Sequence, residues 1–480
     1  MTDPESKSPG TTTRPEWPKL RSFREEVRRI RGTLHAKAKQ EPKRRFQHLF
    51  ADVRKRAVLA VAYVDARDNN GAPGNDGETF ERIEEQGCEK WLRGIEEELQ
   101  QGTYVVGPVR RVRIPKGNGD FRPLGIPNIR DRVVQGAVRL ILEAILEIDF
   151  PEEMFGYRPK KNGLGAVEMT HKLLSQGYVA VVDMDFKGYF DSIDHRLLLG
   201  EVRRRVADPQ VLRVLKMFLR APVVDVVMEQ GAERVVYSRN RRGTPQGGVI
   251  SPLLANVFMA QFYMAWRDQG MDEKFQGRIV SYADDAIVLV RQRADEVLAW
   301  LRQEAMAHGL TLHPAKTRVL DARVDSFDFL GYTFIPVGTN WKVRPSKNKV
   351  VEFKEVLAGL CRTPFGPRTI SRLNEVLRGW AAYYSYGDVH DAHVDVDHHV
   401  ATLLHEALLE VHGHHHPDRG SAAGSREFLE ELGVVSLVAL HDHRVRELGL
   451  ADERAWGGGG RPGTSRTAPV HHSGFASTRS

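Results

Sequence analysis

Cysteine is almost missing from this 480-residue sequence, which contains only Cys88 and Cys361, far apart in the chain. This scarcity argues against a disulfide framework and against a zinc site built from paired cysteines, and it fits a reducing cytoplasm. No apolar run approaches the ~18 residues that a membrane-spanning helix requires. The N-terminus is polar and has no apolar segment typical of a secretory signal. We therefore expect a cytoplasmic protein without membrane contact.

The excess of positive charge is small, since 70 Lys and Arg face 63 Asp and Glu, for a net charge of +7. Its distribution is more informative than its sum. The segment from Arg21 to Arg56 is helical in period and strongly basic, with few acids among the cations. It favours a polyanionic partner, with Arg44 and Arg45 as candidate RNA contacts, although a solvated helix face is the alternative.

A short polar centre separates two apolar runs between Ile279 and Val290, which predicts a β-hairpin with Asp284 and Asp285 at its tip. Adjacent carboxylates repel each other, and placing them between buried strands is costly unless a cation is present. A hard divalent cation such as Mg²⁺, bound through carboxylates and substrate phosphates, would fit. An acidic turn in solvent is the alternative. A further apolar strand predicted upstream ends at Asp185.

Two cations flank a predicted hairpin turn, Lys116 before the Gly-Asn-Gly turn and Arg122 after it. Paired cations on a flexible backbone suit the oxygens of a triphosphate. The segment is not a Walker loop, because Gly-x-x-x-x-Gly-Lys-Ser/Thr occurs nowhere in the sequence. On its own, this hairpin is weak evidence for a nucleotide site.

Seven motifs occur in a fixed order: FGYRP (155–159), DFKGYFDSIDH (185–195), PQGGVISPLLAN (245–256), YADD (282–285), KT (316–317), FLG (329–331) and LNEVLRGWAAYY (373–384). In this order they resemble the motifs of bacterial group II intron reverse transcriptases, with the last similar to the maturase (thumb) domain. The resemblance covers roughly residues 65–387. It implies an α+β, right-hand polymerase fold, with fingers, a palm containing an antiparallel sheet, and a helical thumb.

The domain boundaries follow from the resemblance and from composition. We predict a disordered N-terminus (1–20), a basic helical segment with the fingers (21–180), a palm with the catalytic aspartates (181–340), a helical thumb or maturase domain with C-terminal helices (341–450) and a disordered tail (451–480).

The resemblance also implies residue roles. Asp185, Asp284 and Asp285 match the catalytic carboxylates, which would hold two Mg²⁺ ions. We expect Asp185 and Asp284 to be direct ligands and Asp285 to support them, because adjacent side chains of an extended segment point to opposite faces.

The resemblance also matches five residues to nucleotide binding: Lys116, Arg122, Phe190, Gln246 and Lys316. Phe190 corresponds to the steric gate that excludes a 2′-hydroxyl, with a plain core residue as the alternative. Lys316 corresponds to the lysine suspected of protonating pyrophosphate. In the thumb-like segment, Arg372, Arg378 and Trp380 are candidate RNA contacts, because cations together with aromatics suit a duplex or structured RNA; a structural role for Trp380 is an equal alternative. Asp183, Asp191 and Asp194 are expected to be caps or surface acids.

One departure from the family pattern concerns its C-terminal HNH endonuclease, which has paired cysteines around a metal. No cysteine follows Cys361 and no such motif is found in the sequence, so second-strand DNA cleavage by this chain is not expected. A histidine cluster, His412 with 414–416, is interrupted by Gly413 and followed by Pro417. This composition favours a solvent loop over a zinc site.

The function that we predict is RNA-dependent DNA synthesis, combined with binding of the parent group II intron RNA to promote splicing and mobility. The expected partners are an RNA template, the intron RNA, a DNA primer or target and dNTPs, in the bacterial cytoplasm and associated with the nucleoid. The oligomeric state is left open, with a homodimer as one option. The alternatives are a related reverse transcriptase with another role, such as phage defence, and a non-catalytic RNA chaperone. The intact aspartates argue against the chaperone.

Overall fold

The computed structural model describes residues 19–115, 121–229, 232–362, 366–412 and 422–447. The two termini predicted to be disordered lie outside these ranges, apart from Lys19 and Leu20. Lys116 and residues 414–416 of the histidine cluster also lie outside them. Within the described ranges, no helix has the length and apolar character needed to cross a membrane.

Helices account for most of the regular structure. In chain order they are α1 (Leu20–Gln40), α2 (Leu49–Val53), α3 (Arg56–Asp68), α4 (Phe80–Gln86), α5 (Cys88–Gln101), α6 (Ile129–Leu146), α7 (Gly163–Ser175), α8 (Tyr189–Ser192), α9 (His195–Arg205), α10 (Pro209–Arg220), α11 (Ser251–Asp268), α12 (Met271–Lys274), α13 (Ala294–Ala307), α14 (Lys347–Cys361), α15 (Pro367–Tyr383), α16 (His390–His412), α17 (Ala422–Glu431) and α18 (Leu437–Glu447). A 3₁₀ turn (Glu147–Asp149) follows α6.

The strands form three sheets. In chain order they are β1 (Val109–Pro115), β2 (Phe121–Ile126), β3 (Ala180–Met184), β4 (Val223–Glu229), β5 (Ala232–Ser238), β6 (Gly277–Tyr282), β7 (Asp285–Val290), β8 (Arg318–Asp321), β9 (Phe327–Phe329), β10 (Tyr332–Val337) and β11 (Asn340–Pro345). This mixture of helices with mostly antiparallel strands confirms the α+β prediction, including the strand that leads to Asp185 and the hairpin that carries Asp284 and Asp285.

The chain divides into two compact units that interleave along the sequence. The first contains the described parts of Met1–Glu152, Phe186–Gln269 and Trp300–His313, and the second those of Glu153–Asp185, Gly270–Ala299 and Pro314–Ser480. The consecutive domain boundaries that we predict near residues 180 and 340 stay predictions.

The first unit is built on helix α6, whose apolar side chains are buried on nearly every side. Helix α1 packs against α6 and α3 through a stripe of apolar residues at helical spacing, Val27, Ile30, Leu34 and Ala38. An ion pair between Arg31 and Glu143 (2.6 Å) links α1 to α6. The cations on the other side of α1 are therefore left exposed. The unit also contains a four-stranded sheet of order β2-β1-β4-β5, in which β1 and β4 are parallel.

The second unit contains the sheet that carries all three predicted catalytic aspartates. Its strand order is β6-β7-β3-β8, and every neighbouring pair is antiparallel. β7 and β3 are apolar almost throughout and largely buried, which is expected of strands in the middle of a sheet. One hydrophobic core joins this sheet to the smaller sheet β11-β10-β9 and to helices α14 to α18. The ladders that join β3 to β7 and β8, and β7 to β6, thus hold the ends of β3 and β7 in a fixed register.

Candidate active site

The hairpin between β6 and β7 has a two-residue turn. Tyr282 pairs with Asp285 in the antiparallel ladder, which leaves Ala283 and Asp284 to make the connection. Ala283 adopts a left-handed conformation (φ 59°), which is uncommon for a residue with a side chain. Tight two-residue hairpins require such angles. Asp284 therefore lies in the turn itself, and Asp285 is the first residue of β7.

The register between β3 and β7 brings Asp185 to the same place. Met184, the last residue of β3, pairs with Ala286, and continuing this register by one residue places Asp185 opposite Asp285, the first residue of β7. Opposite residues of an antiparallel pair lie on the same face, where like charges destabilise the sheet. Asp185 thus meets two adjacent aspartates, 99 and 100 residues later in the sequence, at one end of the sheet.

The charges at this end of the sheet affect Asp285 most. Enclosure by protein atoms raises the pKa of its carboxyl, the negative charges of Asp284, Asp185 and Asp183 raise it further, and Lys316 lowers it, for a pKa of about 6. The residue nevertheless keeps a solvent-exposed surface. The negative charges of the aspartates at this end of the sheet therefore outweigh the positive charge of Lys316 in their effect on Asp285.

Two cations at or just before the start of β8 contact acids at the end of β3 and just beyond it. Lys316 Nζ lies 3.2 Å from Asp185 Oδ2, and Arg318 Nε lies 3.2 Å from Asp183 Oδ2. Asp183 is thus an ion-pair partner on the strand, in keeping with its predicted role as a surface acid. Lys316 lies at the carboxylate site, as its position in the motif requires, while its chemical role stays a prediction.

We expect Asp285→Asn to stabilise the metal-free protein at pH 7.5. Because the folded pKa is raised from 3.8 to about 6, the folded chain binds more protons than the unfolded chain between these values, so the free energy of unfolding falls as pH rises through this window. Removing the charge should recover about 0.5 kcal/mol, a value kept small because solvent screens an exposed carboxyl. Urea unfolding in EDTA at pH 4 and pH 7.5 measures the difference. A variant that is less stable at pH 7.5 than the wild type would contradict the charge argument.

The donor chemistry of the site fits a divalent cation. Among the described residues, no three Asp, Glu, His or Cys side chains are already arranged as a complete metal-binding group. However, all the donors are carboxylate oxygens, which hard cations prefer, and the negative charges of Asp284, Asp185 and Asp183 contribute to the raised pKa of Asp285. A cation bound at this end of the sheet would relieve that repulsion, so the residues present suit Mg²⁺.

The segment from Glu153 to Gly156 packs against the turn that carries Asp284. The amide of Phe155 donates to the carbonyl of Ser281 (2.8 Å), and the amide of Ser281 donates to the carbonyl of Glu153 (3.1 Å). At Gly156 the two backbones come so close that an added Cβ would lie 2.1 Å from the amide nitrogen of Ala283. The start of the FGYRP motif is therefore held against the turn by an isolated parallel bridge at Met154 and by a close backbone contact at Gly156, an arrangement that the sequence of the motif does not predict.

The predicted nucleotide-binding residues of the first unit surround one loop. Arg122 Nε donates to Gln246 Oε1 (2.8 Å), and the amide of Thr244 donates to the carbonyl of Phe190 (2.8 Å). At Gly247 (φ 107°) a Cβ would lie 2.4 Å from the carbonyl oxygen of Gly125, so the tight approach of this loop to β2 needs glycine. The structure thus brings Arg122, Gln246 and Phe190 together within this unit. Phe190 itself is 5% exposed, so its alternative role as a core residue stays open.

The predicted RNA contacts separate into exposed arginines and one buried ring. Arg44, Arg45, Arg372 and Arg378 are all exposed, as a contact to RNA phosphates requires. Trp380 is only 6% exposed, and its ring stacks on Phe353 with 4.9 Å between the ring centroids. We therefore remove Trp380 from the predicted RNA-binding residues, because a ring enclosed in this way stabilises the core. The structural alternative fits it.

Comparison with protein families gives two matches. Residues 114–334 match the family described as reverse transcriptase (RNA-dependent DNA polymerase), and residues 366–421 match the group II intron, maturase-specific domain. The first range contains the three aspartates and all the predicted nucleotide-binding residues. The second contains α15 with its exposed arginines.

The chain is also similar in sequence to individual proteins, two of which are named as intron proteins. The chain is 32% identical to protein YkfC of Escherichia coli (strain K12) over 336 residues, which cover 62% of this chain and 85% of that protein. It is 36% identical to the group II intron-encoded protein LtrA of Lactococcus lactis subsp. cremoris over 217 residues, 45% of this chain and 34% of LtrA. It is 30% identical to the putative COX1/OXI3 intron 2 protein of Saccharomyces cerevisiae over 234 residues, 48% of this chain and 25% of that protein. The match thus spans most of YkfC but only about a third or less of the two intron proteins.

Proposed function

We propose that this chain, which belongs to the family of group II intron-encoded reverse transcriptases, uses Asp185, Asp284 and Asp285 as the catalytic carboxylates of RNA-directed DNA synthesis. The observation that carries this proposal is the register of β3 against β7, which brings residues from two distant motifs to one end of an antiparallel sheet. The unbalanced charge there, with the pKa of Asp285 raised to about 6, is the electrostatic condition that a cation-dependent site needs.

Reverse transcriptases depend on divalent metal ions, and we propose two Mg²⁺ ions for this chain. Bound together, the ions would stabilise the attacking 3′-hydroxyl and the departing pyrophosphate oxygens. Asp185 and Asp284 would hold them directly, while Asp285 supports the site. Lys316, at 3.2 Å from Asp185, supplies a mobile positive charge on an exposed side chain at the place where pyrophosphate charge develops.

We further propose that a dNTP is bound by the loop region of the first unit. Arg122 is exposed and shares a hydrogen bond with Gln246, so both can turn toward an incoming triphosphate and base without unfolding the loop. Lys116, outside the described residues, would add a second cation for the phosphates. Phe190 would exclude a 2′-hydroxyl through its fixed position beside this loop.

The RNA partners that we propose are a template and the parent group II intron RNA, whose binding promotes splicing and mobility, together with a DNA primer or target. The exposed arginines of α15 and those near α1 provide phosphate contacts suited to a structured RNA. We place this activity in the bacterial cytoplasm, in association with the nucleoid, and leave the oligomeric state open.

Primer extension tests the proposed polymerase activity. Purified protein should extend oligo(dT) on poly(rA) with dTTP and Mg²⁺, and EDTA in excess should stop the reaction. Replacing Mg²⁺ with Fe²⁺ and generating hydroxyl radicals should cut the backbone near residues 185 and 284, which locates the ions without relying on activity. A folded protein that binds RNA but neither extends the primer nor is cut there would contradict the enzyme reading and favour the RNA chaperone.

We expect Arg378→Ala to weaken binding of the parent intron RNA several-fold. Arg378 is exposed on α15, and a lost phosphate contact removes one released counterion, so the slope of log K against log salt should become shallower by about 1. Filter binding at several KCl concentrations measures both quantities. Arg302→Ala, an exposed arginine on α13 outside the predicted RNA surface, is the matched control for net charge. If the two variants lose the same RNA affinity, the effect reflects the net charge of the protein and not a contact made by Arg378.

A further inference from the structure

The end of strand β3 has a contact that no motif role explains. The ladder between β3 and β8 stops where Asp183 pairs with Arg318, so ordinary backbone pairing with β8 does not reach Asp185. Thr317 continues the contact with its side chain. Its Oγ1 accepts a hydrogen bond from the amide of Asp185 (3.3 Å) and donates one to the carbonyl of the same residue (3.2 Å).

This hydroxyl is well placed to act as a fixed clamp. Thr317 is 7% exposed, so water competes little for its hydrogen bonds. The β-branched side chain restricts χ1, which holds the hydroxyl in one orientation. The preceding residue, Lys316, contacts the carboxylate of the same aspartate. Two consecutive residues thus hold Asp185, one by its backbone and the other by its charge.

We propose that Thr317 is a positioning residue for the catalytic site, which fixes the backbone of Asp185 so that its carboxylate faces Asp284 and Asp285 in a constant geometry. The inference rests on the proposed polymerase function. Phosphoryl transfer depends chiefly on position and charge, so a loosened carboxylate lowers the rate even when the fold is intact. The hydroxyl makes the hydrogen bonds on which this role depends, and the methyl group of Thr317 only limits the rotation of that hydroxyl.

The test compares Thr317→Val, which removes the hydroxyl at constant shape, with Thr317→Ser, which keeps it. For Val we expect kcat for primer extension to fall about tenfold, as the loss of one or two buried hydrogen bonds would produce, with KM for dTTP unchanged. The Mg²⁺ concentration for half-maximal rate and the dissociation constant for Mn²⁺, measured by electron paramagnetic resonance, should both rise. Ser should restore all three values to within about twofold, since it retains the hydrogen bonds.

A matched control is Thr170→Val, since Thr170 is also a buried threonine of this unit and its hydroxyl donates to the carbonyl of Ala166 (2.8 Å) within α7. It should lower stability without changing Mn²⁺ affinity.

If Thr317→Val does not fold, Thr317→Ala removes the same hydroxyl with less steric change. Unchanged kcat and Mn²⁺ affinity in a folded Val or Ala variant would overturn the proposal, and so would failure of Ser to rescue. A wild type that binds Mn²⁺ but extends no primer would refute the polymerase function, while the Mn²⁺ comparison would still decide the role of Thr317.

Discussion

Asp185→Asn and Asp284→Asn should each reduce primer extension by about 10³-fold or more. Asparagine keeps the shape of the side chain and removes its charge, and loss of a metal-ion ligand removes several kcal/mol of transition-state stabilisation, with about 1.4 kcal/mol for each factor of ten. Extension on poly(rA)/oligo(dT) under single-turnover conditions measures the effect on chemistry. RNA binding should persist in both variants, because the substitutions leave the exposed arginines of α15 untouched.

The control for these variants is Asp183→Asn, the same substitution on the same strand two residues before Asp185. Asp183 contacts Arg318, whose exposed guanidinium can be solvated when the pair is broken. We therefore expect less than a tenfold change. If Asp183→Asn were as damaging as Asp185→Asn, the site would depend on its summed charge rather than on particular ligands. An Asp284→Asn variant with nearly normal activity would show that Asp284, in the turn, is not a catalytic residue.

The parts of the site that could be predicted are those in which local pattern and chemistry agree. The hairpin at Asp284 could be predicted because apolar runs of strand length flank adjacent acids. Asp194 was expected to be a cap or surface acid, and its carboxylate does cap α9 by accepting hydrogen bonds from the amides of Arg196 and Leu197. That Asp185 lies opposite Asp285 required the order of strands in the sheet, which periodicity does not provide. The family resemblance supplied that step.

Trp380 illustrates a signal that was present in the sequence. Leu373, Leu377 and Trp380 follow a spacing of four and three residues, which places them on one face of a helix, and all three are buried along α15. The arginines of the same helix lie on the other face. Giving this spacing more weight than the combination of cations with an aromatic residue would have assigned Trp380 to the core. For Thr317 there was no such signal, because its contact depends on where a strand ladder ends.

Gly156→Ala should disable the enzyme through the backbone of the catalytic turn, without touching any carboxylate. The added Cβ would lie 2.1 Å from the amide nitrogen of Ala283 and 2.9 Å from its Cα, and backbone atoms cannot move aside as a flexible side chain can. The turn must therefore shift, which should cost about 1–3 kcal/mol of stability. A displacement near 1 Å at reacting groups can cost about 10²-fold in rate, so we expect kcat to fall by that order at temperatures where the variant is folded.

Gly359→Ala is the matched control, since Gly359 lies in α14 of the same unit, with nothing within 4 Å of its added Cβ. Alanine favours a helix over glycine, so this variant should be as active as the wild type and up to about 1 kcal/mol more stable. Thermal unfolding, with extension assayed well below each transition, separates lost stability from lost geometry. A Gly156→Ala protein that is destabilised but fully active would mean that the FGYRP segment supports only the fold. If activity is lost from the folded variant, the position of the turn that carries Asp284 depends on a glycine more than 100 residues upstream.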